Sequence, residues 1–284
     1  MTADTDTATA TDTATGAATG PGPAVRPGEV HVWHLALDDL GPKARGRLDA
    51  ALAPHERGRR AAYATDRARA RYTASHGMLR LLLGHFLGVA APRVRIRHGP
   101  LGKPDLVRPA AAPDLRFSLS HAGGHALVAL SVGRAVGVDL DRRRPGFPLE
   151  AFTRRYFPAE EHTEVLAAEP GRADRELAFL HLWTRKEALV KAAGARMAIG
   201  VGEPVRPRPG LPVTALAHLS PGHPALHGTW SVQNLPPPHA PAAAKAGPAQ
   251  PPPAAAALAL AGDQPFRVIT RRMSHTLTHE GQNR

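Results

Sequence analysis

Ala126–Val132 and Ala135–Leu140 are two largely apolar runs held apart by Gly133–Arg134 alone, and this stretch limits the fold more than any other. Each run is short and rich in Val, Leu or Ala, so each reads as a strand. Gly133–Arg134 fits a two-residue Gly-X turn, which predicts a hairpin. Upstream, Phe117–Leu119 begins another strand, and Gly123–Gly124 supplies a turn after it. Glu29–Leu37 reads as a strand with Val30, Val32 and His34 on one side. Ala44 to Leu87 carries a helical pattern broken near Pro54, and Leu79, Leu82, Leu83 and Phe86 recur at core-facing spacing. Val94–Arg97 reads as a short strand, and Leu177–Ala193 as a helix stopped by Gly194. Ala254–Ala261 and Phe266–Ile269 read as late strands. Helices interleaved with hairpins predict an α+β fold.

Composition narrows the function classes. Hydrophobic residues make up 43% of 284, enough to bury a core. There is no cysteine, which excludes a disulfide scaffold, thiol chemistry and Cys-ligated zinc, and agrees with a reducing compartment. No apolar run approaches the ~20 residues that span a bilayer, so no membrane association is expected. Residues 1–24 hold eight Thr and seven Ala with no Lys or Arg, unlike a secretory or transit signal. Residues 1–27 therefore read as a disordered tail on a cytoplasmic protein. Residues 236–256 contain eight Pro and nine Ala and read as a long surface loop. Residues 275–284 read as a frayed end.

Four clusters carry chemistry. In Gly137-Val138-Asp139-Leu140-Asp141, strand alternation turns both aspartates to one face. Two carboxylates so placed repel unless a cation lies between them, and a hard divalent cation takes such oxygen ligands. A strand end with two solvated acids is the plain alternative. In the helix Leu182–Lys191, Trp183, Glu187 and Lys191 are four apart and line one face. Glu187 could complete a metal site, and Lys191 could neutralise phosphate oxygens; an ordinary surface Glu–Lys pair explains each singly. Between Lys43 and Arg80 there are ten basic and three acidic residues. Arg57, Arg59 and Arg71 lie there, and Lys103 follows in Gly102-Lys103-Pro104; such cations suit phosphate recognition. Ser120-His121 stands before the two glycines, where a His can meet a phosphate or sit on a hairpin tip. His121 and His125 have the spacing of a zinc pair, but the intervening glycines argue against a helix and the Glu of that motif is missing.

Taken in order, these motifs resemble the Sfp-type 4′-phosphopantetheinyl transferases. They are Gly102-Lys103-Pro104, Phe117–His121, Gly137–Asp141, Phe157-Pro158-Ala159-Glu160-Glu161 and Trp183–Gly194. The resemblance spans roughly Val30 to Gly200. It implies transfer of the phosphopantetheine arm of coenzyme A to a carrier-protein serine, with release of 3′,5′-ADP. It implies two similar α+β halves, residues 28–133 binding coenzyme A and residues 134–274 holding the metal site, with the active site in the cleft between them. It implies Mg²⁺, or Mn²⁺, on Asp139, Asp141 and Glu187. Lys191, Lys103, Ser120, His121 and Arg71 become coenzyme A contacts, with Arg57 and Arg59 more loosely at the 3′-phosphate. Glu187 is the expected base and Glu161 the runner-up. The implied protein is a monomer, and its partners are acidic apo acyl or peptidyl carriers of fatty-acid, polyketide or nonribosomal-peptide synthesis. Asp141 stands where Glu is frequent. A net charge of +12 also suits a nucleic-acid-binding protein, but 5% aromatic residues give few stacking platforms and the acidic trio would repel phosphate. A catalytically inactive carrier-binding homologue is a third reading.

Overall fold

The computed structural model describes residues 24–38, 40–108, 113–144, 146–168, 171–205, 215–216, 228–236 and 255–273. Most of the expected tail, of the 236–256 loop and all of 275–284 lie outside them. In chain order the elements are β1 (Glu29–Ala36), α1 (Pro42–Ala51), α2 (Pro54–Ala61), α3 (Asp66–Leu87), β2 (Ile96–His98), β3 (Pro104–Leu106), β4 (Leu115–Ala122), β5 (His125–Val132) and β6 (Val136–Asp141). Then come α4 (Leu149–Tyr156), α5 (Ala159–Ala167), α6 (Arg172–Ala193), α7 (Met197–Gly200), β7 (Ala215–Leu216), β8 (Trp230–Leu235), β9 (Ala255–Ala261) and β10 (Arg267–Met273). Among the described residues no helix is long and apolar enough to cross a membrane.

The fold is α+β. One sheet has the order β10-β1-β5-β4 and a second the order β6-β9-β8-β7, with β2 and β3 forming a separate ribbon. Within them β1-β5-β4 and β6-β9-β8 are equivalent. Each is a strand, a 22-residue helix and two further strands, and all neighbours are antiparallel. Both helices stop at a glycine in the left-handed region, Gly88 at φ 64° and Gly194 at φ 69°. The twofold likeness expected from the resemblance is thus visible as topology.

Period-2 alternation divides each sheet between two cores. Trp33, Leu35, Phe117, Val128 and Leu130 face α3, meeting Leu79, Leu82 and Leu83. Val30, Val32, Leu127 and Ala129 face the second sheet, meeting Val138, Leu140, Leu258 and Leu260. On the far side of that sheet Ala255, Ala257 and Ala259 pack under Leu182, Ala188 and Leu189 of α6. The order is helix, sheet, sheet, helix. Strands covered on both faces read as near-continuous apolar runs, as the opening stretch does.

The structure corrects several expectations. Gly133–Arg134 is not a hairpin turn: β5 already pairs with β1 and β4 and offers β6 no free edge, and β6 crosses to the other sheet. Arg134 braces that crossing, donating to the carbonyls of Ala261, Gly262 and Gln264. Ser120 and His121 lie inside β4 rather than at a tip. The expected Val94–Arg97 strand forms instead at Ile96–His98. Ala255 and Ala256, inside the expected loop, begin β9. β10, placed by sequence with 134–274, pairs in parallel with β1 and completes the first sheet.

Candidate functional site

The second sheet must accept α6 closely, and its inner face is built for that. Alternation places Gly137, Asp139 and Asp141 on the face toward α6, with Val138 and Leu140 toward the other sheet. A Cβ on Gly137 would lie 2.0 Å from the Ala188 carbonyl oxygen. Glycine there lets the helix settle onto β6, and the next two residues on that face are the aspartates.

Asp139 is buried, and its Oδ1 accepts from Ser120 Oγ at 2.8 Å and from Lys191 Nζ at 2.6 Å. Lys191 also donates to Ser120 Oγ at 3.0 Å. Three elements from two sheets and a helix therefore meet at one oxygen cluster. The sheet contact explains why. β6 is an edge strand, and its amides of Val138 and Leu140 donate to Ser118 Oγ (3.1 Å) and Ser120 Oγ (3.3 Å) on β4. Serine hydroxyls satisfy edge amides that burial would otherwise leave unpaired.

Asp141 is also buried and takes a different cation. Its carboxylate accepts from Arg144 at 3.0 and 3.3 Å and from the Arg142 amide at 2.8 Å. Glu187, one turn before Lys191 on α6, shares this environment. Burial first, and then the negative charge of Asp139, raise its carboxyl above the ordinary carboxylate range; Asp141 adds to the rise, while Lys191 and Arg144 oppose it. No three acidic or imidazole groups among the described residues stand in a ready-made metal cluster. The donor set is nonetheless all oxygen, the chemistry a hard divalent cation takes, and the charges of both aspartates act on Glu187.

The remaining sequence-predicted residues separate. His121 is exposed at the rim, and its imidazole is shifted below its usual range by desolvation and then by the Lys191 charge. Lys103 reaches α6 and donates to the Ala192 carbonyl, beside Gly194. Arg71 makes a two-pronged pair with Asp38, at 2.8 and 2.6 Å. That pairing holds the Asp38 carboxyl below the usual range. Arg57 is exposed and caps carbonyls at the end of α1, and Arg59 is exposed on α2. Glu161 stands apart. It is fully buried, 2.6 Å from Lys186 Nζ, and its other oxygen accepts the Val205 amide at 2.6 Å. Trp183 packs on Phe179 and Phe152 and anchors α6. Sequence reasoning missed Ser118, Arg144, Asp38 and Lys186. The first was legible as the same-face neighbour of Ser120. Arg144 was signalled only by an Arg run after Asp141.

Comparison with known proteins adds a family likeness. A model of the 4′-phosphopantetheinyl transferase superfamily matches residues 135–226. That match starts where the chain crosses between sheets and includes Asp139, Asp141, Glu187 and Lys191. The chain is 36% identical over 166 residues to the 4′-phosphopantetheinyl transferase HetI of Nostoc sp. strain PCC 7120, covering 58% of this chain and 69% of that relative. It is 38% identical over 118 residues to 4′-phosphopantetheinyl transferase AcpT of Escherichia coli K12, covering 40% and 55%. A 4′-phosphopantetheinyl transferase of Bacillus subtilis is 30% identical over 89 residues, covering 31% and 38%.

Proposed function

This chain belongs to the 4′-phosphopantetheinyl transferase superfamily, and from that premise we propose that it moves the phosphopantetheine arm of coenzyme A onto a serine of an apo acyl or peptidyl carrier protein, releasing 3′,5′-ADP. The observation that supports this most is the junction of Ser120, Asp139 and Lys191 within 2.6–3.0 Å. It sets a lysine ammonium beside a carboxylate where β4, β6 and α6 meet; a cation there can pair with phosphate oxygens, and a carboxylate can hold a divalent ion.

Asp139, Asp141 and Glu187 would hold Mg²⁺ or Mn²⁺. Such an ion, when bound, neutralises charge on a diphosphate and its leaving group. The chain's own side chains do the rest. The carrier serine attacks the phosphorus on the pantetheine side, the bond from that phosphorus to the bridging oxygen breaks, and 3′,5′-ADP leaves. Glu187 takes the serine proton, directly or through a water. Lys191 holds positive charge beside the phosphoryl oxygens. Ser120 orients Lys191 and Asp139, and His121 meets a phosphate at the rim. Lys103 and Arg71 carry positive charge toward coenzyme A, with Arg57 and Arg59 at its 3′-phosphate. Glu161 is not the base in this reading, because its carboxylate is enclosed with Lys186.

A charge of +12 attracts acidic carriers electrostatically. Every residue this reading uses comes from one chain, which agrees with the monomer that the resemblance implies. The test is intact-mass spectrometry of an apo carrier incubated with the protein, coenzyme A and Mg²⁺. A gain of one phosphopantetheine, lost with EDTA, supports the reading. No gain on several apo carriers, from folded protein, refutes it.

A further inference from the structure

The two aspartates of β6 are neutralised in different ways. Lys191, on the rigid α6, is bound to Asp139 and to Ser120, and its side chain is 31% exposed. Arg144 follows β6 outside any helix or strand, and its side chain is 63% exposed against 11% for its partner Asp141. An ionised carboxylate has about four lone-pair positions. On Asp141 two are taken by Arg144 and one by the Arg142 amide. A cation binding Asp141 must therefore compete with the guanidinium for oxygen and against its positive charge.

We infer that Arg144 is a displaceable counter-ion, holding Asp141 while the acidic site is empty and leaving it when a divalent cation binds, so that this arginine sets the cation affinity of the site. The inference rests on the metal reading of Asp139, Asp141 and Glu187. Exposure of the guanidinium makes the release inexpensive: once freed it is hydrated at once, while the buried Asp141 exchanges one cation for another. The Arg144 charge also reaches Glu187, where it opposes the rise caused by the aspartates. One side chain thus binds one of the three carboxylates and acts electrostatically on a second. Lys191, tied to Ser120 as well, is the counter-ion that stays.

The test is Mn²⁺ binding to the full chain without coenzyme A, read from the electron paramagnetic resonance signal of free Mn²⁺. Arg144→Gln is expected to bind Mn²⁺ about five-fold more tightly than the wild type. Arg144→Lys should fall between them and serves if the glutamine variant misfolds. Arg142→Gln, which removes a neighbouring charge and keeps the backbone amide on Asp141, should match the wild type. Wild-type binding with Arg144→Gln unchanged or weaker, at an unchanged unfolding midpoint, overturns the inference alone. Equal tightening by Arg142→Gln also overturns it, since net charge then explains the effect. No Mn²⁺ binding by any of these proteins overturns the metal reading and the inference together.

Discussion

Lys191 Nζ lies 2.6 Å from Asp139 Oδ1, and Ser120 Oγ shares that same oxygen at 2.8 Å. The lysine comes from α6, the aspartate from β6 and the serine from β4 of the other sheet, so the contact depends on how the two sheets and the helix pack. Removing the aspartate leaves a lysine and a serine without their shared acceptor. Asp139→Ala should lower transfer by ~10²–10³-fold. Ser120→Ala, which keeps the carboxylate and loses one hydrogen bond, should cost only ~5–10-fold. Intact-mass time courses on one apo carrier rank the two, and a reversed order would mean that Ser120 acts on substrate directly rather than through Asp139.

Gly137→Ala tests the packing that places the aspartates. The added Cβ would lie 2.0 Å from the Ala188 oxygen and 2.4 Å from the Ala192 nitrogen, both backbone atoms of α6. Backbone cannot rotate away as a side chain can, so the helix must lift from β6. The expected loss is about 3 kcal/mol or more of unfolding free energy, measured by denaturant titration. A variant as stable as the wild type would mean that α6 does not sit so close to β6.

Glu187→Gln separates activity from stability. The folded state raises this carboxyl above its ordinary 4.5, through burial first and Asp139 next. In the pH window above 4.5 the folded protein therefore holds more protons than the unfolded chain, and stability falls as pH rises through it. Glutamine removes that loss. In EDTA the variant should melt above the wild type near neutrality, with the gap closing below pH 4.5. Transfer should fall by ~10²-fold or more. Equal melting of the two proteins at neutral pH would contradict the shared electrostatic neighbourhood of the trio.

What was legible in the sequence follows the reach of each signal. Alternation placed β1, and short apolar runs placed β4, β5, β6 and β9, because both signals are local. The i, i+4 spacing put Glu187 and Lys191 on one helix face, and Gly194 marked its end. The partner of an edge strand is not local. Nothing near Gly133 says that β5 already has two neighbours, so the hairpin rule misled there. Nor does β10 announce that it returns to β1 across the whole chain. Charge partners were hidden for the same reason: Lys186 and Glu161 are 25 positions apart, and sequence offered Glu161 as a base where packing makes it the mate of a buried lysine.

Lys103 yields a pH signature. Burial first, and the Arg116 charge next, lower its ammonium from 10.5 to about 8. The cost of burying the charged form is present below about pH 8 and is relieved between there and 10.5, so this residue makes stability rise with pH in that window. The neutral amine still donates to the Ala192 carbonyl. Lys103→Met abolishes the titration, and the wild type should gain melting temperature relative to the variant between pH 8 and 10.5. A difference that stays flat across that range would place Lys103 in solvent.

The buried pair Lys186–Glu161 decides whether Glu161 is structural or catalytic. Both side chains are fully buried, 2.6 Å apart, with the ammonium 4.7 Å from the Phe157 ring centroid. Burial lowers the Lys186 pKa while Glu161 opposes that shift. Removing either partner strands a charge, so Lys186→Met and Glu161→Gln should each lose ~3–5 kcal/mol. The double variant strands none, and its glutamine oxygen can still accept the Val205 amide that Glu161 now holds at 2.6 Å. It should recover most of the stability lost by either single change. Turnover then discriminates. If Glu161 only holds α5 and Val205 to α6, the folded double variant still transfers phosphopantetheine, because Glu187 and Lys191 keep their places. If Glu161 takes the serine proton, the double variant folds and is inactive. Thermal melts beside intact-mass assays of the three variants give both readings from one preparation, and we expect a stable, active double variant.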